Sequence, residues 1–407
     1  MIPFIFLFNA IIFYYIISIK TKDYLHPLGV GIFVWFFTAG ISNISSLYDI
    51  SIQQNISLKT NFIVFLSGVF FIFPFIFSFR LNKSVFQNFK IYFGLPYRLF
   101  FNTLLIFSFL NFLLRFNSVL FNPPFFNTAA GVLDIKSLVP PALPILNLFD
   151  VLTPFLAIFC IFELFFSSFL SHSRKVLLNL FILFSVVVSV FYEVSRGELV
   201  IVILAIIYLY SIPKYFKFSL KYFVLSSIFL FSILYLGISR ISNESRVSTH
   251  FGEGLLNNIF SQIYTYIAMN FQNLNMLVNS NFTPTYFWGG MKFILYPFFK
   301  DDYEKNIIGL TDFNVEFFNA KTYLYYFVND LGVAGALIYS LFIGFIIQSI
   351  YNLSVKNIKF FVFIACLLKP ILFMFFGNYF FGDNINFLPY IFVLVLILMM
   401  RTVRLSS

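Results

Sequence analysis

Apolar positions along this chain fall in long runs, with the charges gathered in the short stretches between them. The runs are 2–19, 28–48, 62–79, 98–115, 149–170, 176–193, 198–211, 221–238, 323–350, 359–376 and 386–404. A membrane-crossing helix needs about 20 apolar residues, so the pattern predicts about eleven transmembrane helices. The run at 198–211 is short and bracketed by Gly197 and Pro213, which suits a tilted, broken or re-entrant segment. Two long stretches interrupt the runs. Residues 116–148 carry Pro123, Pro124, Pro140, Pro141 and Pro144, a stiff loop that cannot be mostly helix. Residues 239–322 contain a different periodicity. Over 255–278, Leu255, Ile259, Ile263, Ile267, Phe271, Leu274 and Val278 share one face. Asn257, Asn258, Gln262, Thr265, Gln272 and Asn273 fall largely opposite. This predicts an uncharged amphipathic helix that lies on the membrane face, covers a cavity or packs as a cap.

Composition agrees with the pattern. The chain is 60% hydrophobic and 10% charged, with mean hydropathy +0.91. So little polar surface cannot cover a soluble fold of 407 residues. The expected class is an all-α, polytopic integral membrane protein. Residues 1–238 would form an N-terminal bundle of about eight spans, 239–322 a large outside segment, and 323–407 a bundle of about three spans. The first run lacks a basic leader and a small-residue cleavage site, so it reads as a retained helix. Cys160 and Cys366 each sit inside an apolar run, where a buried thiol is the ordinary role and a disulfide is not expected.

Charge sets an orientation. Lys20, Lys22, Arg80, Lys83, Lys90, Arg98, Arg174, Lys175, Lys214, Lys217, Lys221, Lys356, Lys359, Arg401 and Arg404 all follow odd-numbered runs, with the single acid Asp23. The positive-inside rule then places these loops and the C-terminus in the cytoplasm and the N-terminus outside. Against that bias, Arg115, Arg196, Arg240 and Arg246 fall on the outside. Arg196 lies in the turn Ser195-Arg196-Gly197-Glu198, and Arg240 and Arg246 follow the eighth run. Guanidinium groups hold phosphate oxygens bidentately, so Arg196, Arg240 and Arg246 suit a lipid diphosphate at the outer leaflet. Snorkelling to headgroups or pairing with Glu193, Glu198 or Glu244 is the plain alternative. Glu163 and Lys369 lie deep in runs, where each should face protein or a cavity, and a mutual pair is one arrangement. No phosphate-cradling glycine loop, nucleotide fingerprint or metal-spaced His/Cys cluster is present. The Asp301-Asp302 cluster beside Lys300 reads as solvated surface.

The stretch from Asn314 to Ile347 adds a resemblance. Asn319, Thr322, Tyr323, Asp330, Gly332, Gly335 and Gly344 resemble the late signature of bacterial oligosaccharide repeat-unit polymerases of the Wzy type, with Leu331 where Phe is common. The Ser195-Arg196-Gly197 turn is similar to that family's central arginine motif. The resemblance implies a GT-C-like polymerase or ligase architecture in a bacterial cytoplasmic membrane. It also implies undecaprenyl-diphosphate-linked oligosaccharides as substrates, with membrane lipids and a chain-length regulator protein as partners. Neither a cofactor, nor a metal, nor a nucleic acid is implied, because the diphosphate is already a good leaving group. Arg196, Arg240 and Arg246 would then stabilise the departing diphosphate. Asn319, Thr322 and Tyr323 would line the sugar cavity, and Asp330, Glu198 and His250 are the candidates for a general base. Two further readings stay open: a ligase joining finished polymer to a lipid core, and a transporter or flippase of lipid-linked sugars. A transporter usually shows an internal repeat, and none is visible here.

Overall fold

A computed structural model describes residues 1–46, 53–80, 89–124, 144–193, 196–212, 255–288, 295, 299, 301–302, 320–380 and 384–404. The eighth run, at 221–238, lies outside them, as do Arg240, Arg246, His250 and Asn319. The other ten runs each contain a helix. These are α1 (Ile2–Thr21), α2 (Pro27–Ser42), α3 (Leu58–Ile72), α4 (Leu95–Arg115), α5 (Pro144–Phe166), α6 (His172–Val187), α7 (Arg196–Ser211), α9 (Tyr323–Lys356), α10 (Phe361–Leu372) and α11 (Asn384–Met399); the amphipathic segment forms α8 (Leu255–Asn279). Seven helices among the described residues are long and apolar enough to cross a membrane, and two shorter apolar helices, Leu199–Ser211 and Leu388–Met399, accompany them. One small sheet departs from the all-helical expectation: β1 (Phe89–Tyr92) pairs antiparallel with β2 (Arg401–Arg404).

Packing divides the chain into two units, each discontinuous in sequence. The first is Met1–Leu81, Ser245–Asn352 and Lys369–Phe387; the second is Asn82–Glu244, Leu353–Leu368 and Leu388–Ser407.

In the first unit, α1 and α2 form a hairpin whose turn is pinned by a Leu25 amide donating to Asp23 Oδ1 at 2.8 Å. Trp35, fully buried midway along α2, donates from its indole to the Val64 carbonyl of α3. Around this pair the ends sort cleanly. At one end, Lys20 Nζ reaches the Ile76 carbonyl at 3.1 Å and Asn352 Nδ2 reaches the Phe77 carbonyl at 3.1 Å. At the other, the Ser57 hydroxyl caps α3, and Asn275 accepts from both the Ser57 amide and the Thr60 hydroxyl. Lys59 Nζ caps the C-terminus of α8 on the Val278 carbonyl at 2.9 Å.

Amphipathic α8 is packed rather than laid on a surface. From Tyr264 to Val278 nearly every side chain is buried, including Thr265, Asn270, Gln272, Asn273 and Asn275 on the polar face. Over Tyr264–Val278 this burial fits the packed alternative and not one laid on the membrane face. The polar face is retained because it binds neighbouring backbone and side chains, as where Asn273 Nδ2 meets the Ala320 carbonyl at 2.7 Å.

In the second unit, β1, β2 and the end of α5 lie together: the Ser168 amide donates to the Ile91 carbonyl at 3.0 Å. Lys359 Nζ reaches the Met400 carbonyl at the same end. Glu163, fully buried in α5, is held by Arg174 of α6 through two bonds of 2.8 Å, Nε to Oε1 and Nη2 to Oε2. The carboxylate is thus occupied by Arg174 and not by Lys369, whose ammonium lies 5.2 Å over the Tyr379 ring. Two helices joined by a short turn bring such a bidentate partner close. Both cysteines are buried and free. Opposite the sheet, α6 ends in a π-helical turn, Val188–Tyr192, packed on Phe112 and Phe116 of the α4 end.

Candidate functional site

The ninth run predicts one continuous span, with Thr322 and Asp330 along one helix face and Asp330 further into the membrane. That geometry is corrected. Within α9, Leu331 (φ −138°) and Gly332 (φ 63°, ψ −142°) leave helical space. The chain reverses there. Tyr323 Oη lies 2.9 Å from Ser340 Oγ, a pair that a straight helix would hold about 25 Å apart. Phe327 stacks on Tyr339 with ring centroids 4.0 Å apart. A Cβ on Gly335 would collide with the Phe327 carbonyl oxygen. The arm 323–330 therefore folds back along the start of the arm 333–356. The second arm alone is about 36 Å long, enough for a crossing. Asp330 sits at the turn, beside the N-terminal end of the longer arm, where a helix dipole favours negative charge. Tyr323 sits level with Ser340 and packs edge-on against Trp35 at 5.0 Å.

Breaking the helix frees the carbonyls of Asn329 and Asp330 from the intrahelical ladder. A strap that follows α8 takes them: the Thr285 amide donates to Asn329 at 3.1 Å and the Tyr286 amide to Asp330 at 3.2 Å. Side chains lock the same junction. The Thr285 hydroxyl donates to Asp330 Oδ1 and accepts from Asn329 Nδ2 at 3.2 Å. Asn329 and Asp330 are fully buried. The strap carries strain, since Tyr286 (φ 44°) and Phe287 (φ 76°) both adopt positive φ, and both side chains are exposed. Such backbone persists only where surroundings over-determine it, and it concentrates at functional sites.

Along the hairpin, Asn329 Oδ1, the Tyr339 hydroxyl and, at the base of the first arm, Thr322 Oγ1 are buried without a hydrogen-bond partner among the described residues. Native structures leave few such groups without reason. Irregular backbone within membrane-spanning structure is tolerated where it lines a protein or water-filled cavity. A carboxylate, a hydroxyl and an amide held in one chain of hydrogen bonds can orient a hydroxyl-bearing ligand or relay its proton.

Of the residues singled out in the sequence, Thr322, Tyr323 and Asp330 belong to this hairpin. Tyr323 is a packing residue with a satisfied hydroxyl, its amide also donating to the Met374 carbonyl at 2.9 Å. Arg196 opens α7, but its side chain and that of Glu198 lie outside the described residues, as do Arg240, Arg246, His250 and Asn319 entirely. No group of three His, Cys, Asp or Glu side chains with metal-holding geometry occurs among the described residues. Thr285, Asn329 and Tyr339 were missed. Asn329 had a signal, a polar pair with Asp330 just before a glycine inside an apolar run; Thr285 had none, because its role depends on a contact 45 residues away. No family model matches this chain, and neither a curated protein nor a solved structure matches it.

Proposed function

We propose that this chain is a membrane glycosyltransferase that polymerises lipid-diphosphate-linked oligosaccharide repeat units at the outer face of a bacterial cytoplasmic membrane. The observation that carries the reading is the hairpin. The stretch that resembles the repeat-unit polymerase signature folds into a strained turn with the Asp330 carboxylate locked at its tip. A hydroxyl of the acceptor sugar attacks the anomeric carbon of the donor. The bond from that carbon to the diphosphate oxygen breaks, and its electron pair leaves with the diphosphate. The hydroxyl proton passes to a base, for which Asp330, Glu198 and His250 are the candidates. Burial of Asp330 against Thr285 favours a positioning role in the resting state. Arg196, Arg240 and Arg246 hold the departing diphosphate, and binding two long lipids in register supplies the rest. The orientation with basic loops and C-terminus in the cytoplasm rests on the bias of charge along the sequence.

The test is chain extension per folded molecule with purified lipid-linked repeat units. Asp330→Asn is expected to lose extension by about two orders of magnitude or more, the usual worth of a positioned acid–base group. Thr285→Val, which removes the hydroxyl that donates to this carboxylate, is expected to slow extension with less effect. Undiminished extension in Asp330→Asn would remove Asp330 from the site. One observation favours a second reading: broken helices with polar interiors also build transporter sites. Translocation of lipid-linked sugar across vesicles, with no polymer formed, would establish that reading instead. Transfer of finished polymer to a lipid core, with no extension, would establish the ligase.

A further inference from the structure

A second unfinished polar cluster lies wholly within the second unit. Asn111 and Arg115 are one turn apart at the end of α4, so they share a face. Asn111 Nδ2 donates to Asp150 Oδ1 of α5 at 2.8 Å, and Arg115 Nη1 meets Asp150 Oδ2. Glu193 Oε1 stands 3.9 Å from the same Nη1. Glu193 directly follows the π-helical turn, a feature that recurs at functional positions. Its neighbour Tyr192 fixes the turn by donating to the Leu120 carbonyl at 2.7 Å.

Two atoms of this cluster are buried without a hydrogen-bond partner among the described residues: Arg115 Nε, a donor, and Asn111 Oδ1, an acceptor. Asn111 as a whole is 3% exposed. The cluster is still reachable from one edge, since the side chains of Arg115, Asp150 and Glu193 keep 23%, 13% and 15% of their surface. Among the described residues one guanidinium faces two carboxylates, a balance that disfavours a phosphate. An unused donor and an unused acceptor one helical turn apart suit a group that both gives and takes hydrogen bonds and carries no charge. A sugar hydroxyl is such a group.

We propose that Asn111, Arg115, Asp150 and Glu193 form a binding site for a neutral sugar residue. The carboxylates and Asn111 Oδ1 accept from its hydroxyls, and Arg115 Nε donates to one of them. The choice of a sugar over other polyols rests on the glycosyl transfer proposed above. The competing role is a helix pin that binds nothing.

Saturation-transfer NMR on the full chain in a sugar-free detergent decides between them. The probes are glucose, galactose and N-acetylglucosamine, with glycerol standing for the polyol of a lipid headgroup and pyrophosphate as competitor. At least one sugar is expected to receive transfer, glycerol none, and pyrophosphate should not compete. The sugar signal should fall about fivefold in Asn111→Leu and in Glu193→Gln, as loss of a hydrogen bond implies. Should Asn111→Leu fail to fold, Glu193→Gln alone carries the test. The site is overturned if no sugar receives transfer, if glycerol does so equally, if pyrophosphate displaces the sugar, or if the folded variants keep the full signal. Lost polymerisation with sugar binding intact would count against the proposed function and leave this site standing.

Discussion

At the scale of single residues, buried polar groups carry most of what is particular to this chain. The turn between α1 and α2 holds two of them in opposite states. Asp23 is fully buried, with Oδ2 unpartnered among the described residues. Burial pushes its carboxyl up to about 7, with the Leu25 amide and the Tyr351 hydroxyl pulling the other way. His26, buried 4.1 Å from the Tyr351 ring, is pushed down to about 3 by the same loss of solvent. The signs oppose. The folded state keeps a proton on Asp23 that the unfolded chain releases above its ordinary value of 3.8, so this contribution is lost as pH rises from there through about 7. The folded state refuses a proton on His26 that the unfolded chain binds below 6.5, so this contribution is lost as pH falls from there through about 3. Between them the two slopes nearly cancel, and wild-type stability should be flat from about pH 4 to 6.5. Asp23→Asn should leave a stability that climbs with pH across that window, by a few kcal/mol at most. Thermal unfolding in detergent at stepped pH checks this. A wild type that climbs with pH as steeply as the variant would mean that Asp23 is ionised and solvated in the folded protein.

At the scale of elements, the decisive event is a helix that breaks where its hydropathy does not. The run at 323–350 reads as one span, because Leu331 and Gly332 interrupt neither its length nor its apolar character. The interruption becomes physical because φ of 63° with ψ of −142° is open only to glycine. This yields a prediction with a sign. In an unbroken helix, Gly332→Ala would stabilise by about 1 kcal/mol. In the hairpin it should destabilise by about 1–3 kcal/mol through the backbone alone, since a Cβ at Gly332 meets no described atom within 4 Å. Unfolding measurements on this variant read the answer directly, and a stabilised Gly332→Ala would restore the straight span. The same logic explains α8. Its polar face looked fit for a membrane surface, but asparagine can equally satisfy buried carbonyls and amides, and here Asn273 and Asn275 do.

At the scale of the whole molecule, the membrane assignment rests on seven helices of spanning length and apolar composition. The orientation is a separate claim. Within the first unit, Lys20, Ile76, Phe77 and Asn352 share one end, while Ser57, Lys59 and the end of α8 share the other. Within the second, β1, β2, Ser168 and Lys359 gather together. Each grouping, taken within its own unit, agrees with an alternating chain. Reporter fusions after Lys90 and Lys217 are expected to report the cytoplasm, and a fusion after Asn279 the outside. A cytoplasmic signal at Asn279 would reverse the placement of α8 and of the hairpin's turn.

The position of each described span, the amphipathic helix at 255–279 and the bias of charge were all legible in the residues alone. Each is a local property: hydropathy over about 20 residues, a helical period, a sign of charge on a short loop. Asp330 was singled out through the resemblance to the repeat-unit polymerase signature and not by any local property. Partners were not legible. Nothing local shows that Glu163 faces Arg174, that Arg115 faces Asp150, or that Thr285 closes on Asp330. Those pairings depend on how helices far apart in sequence come to lie side by side, so they are set by packing. The reversal at Gly332 belongs to the same class. Glycine permits the turn, but only the surrounding contacts make the folded-back arm, with Tyr323 on Ser340 and Phe327 on Tyr339, more favourable than a straight helix.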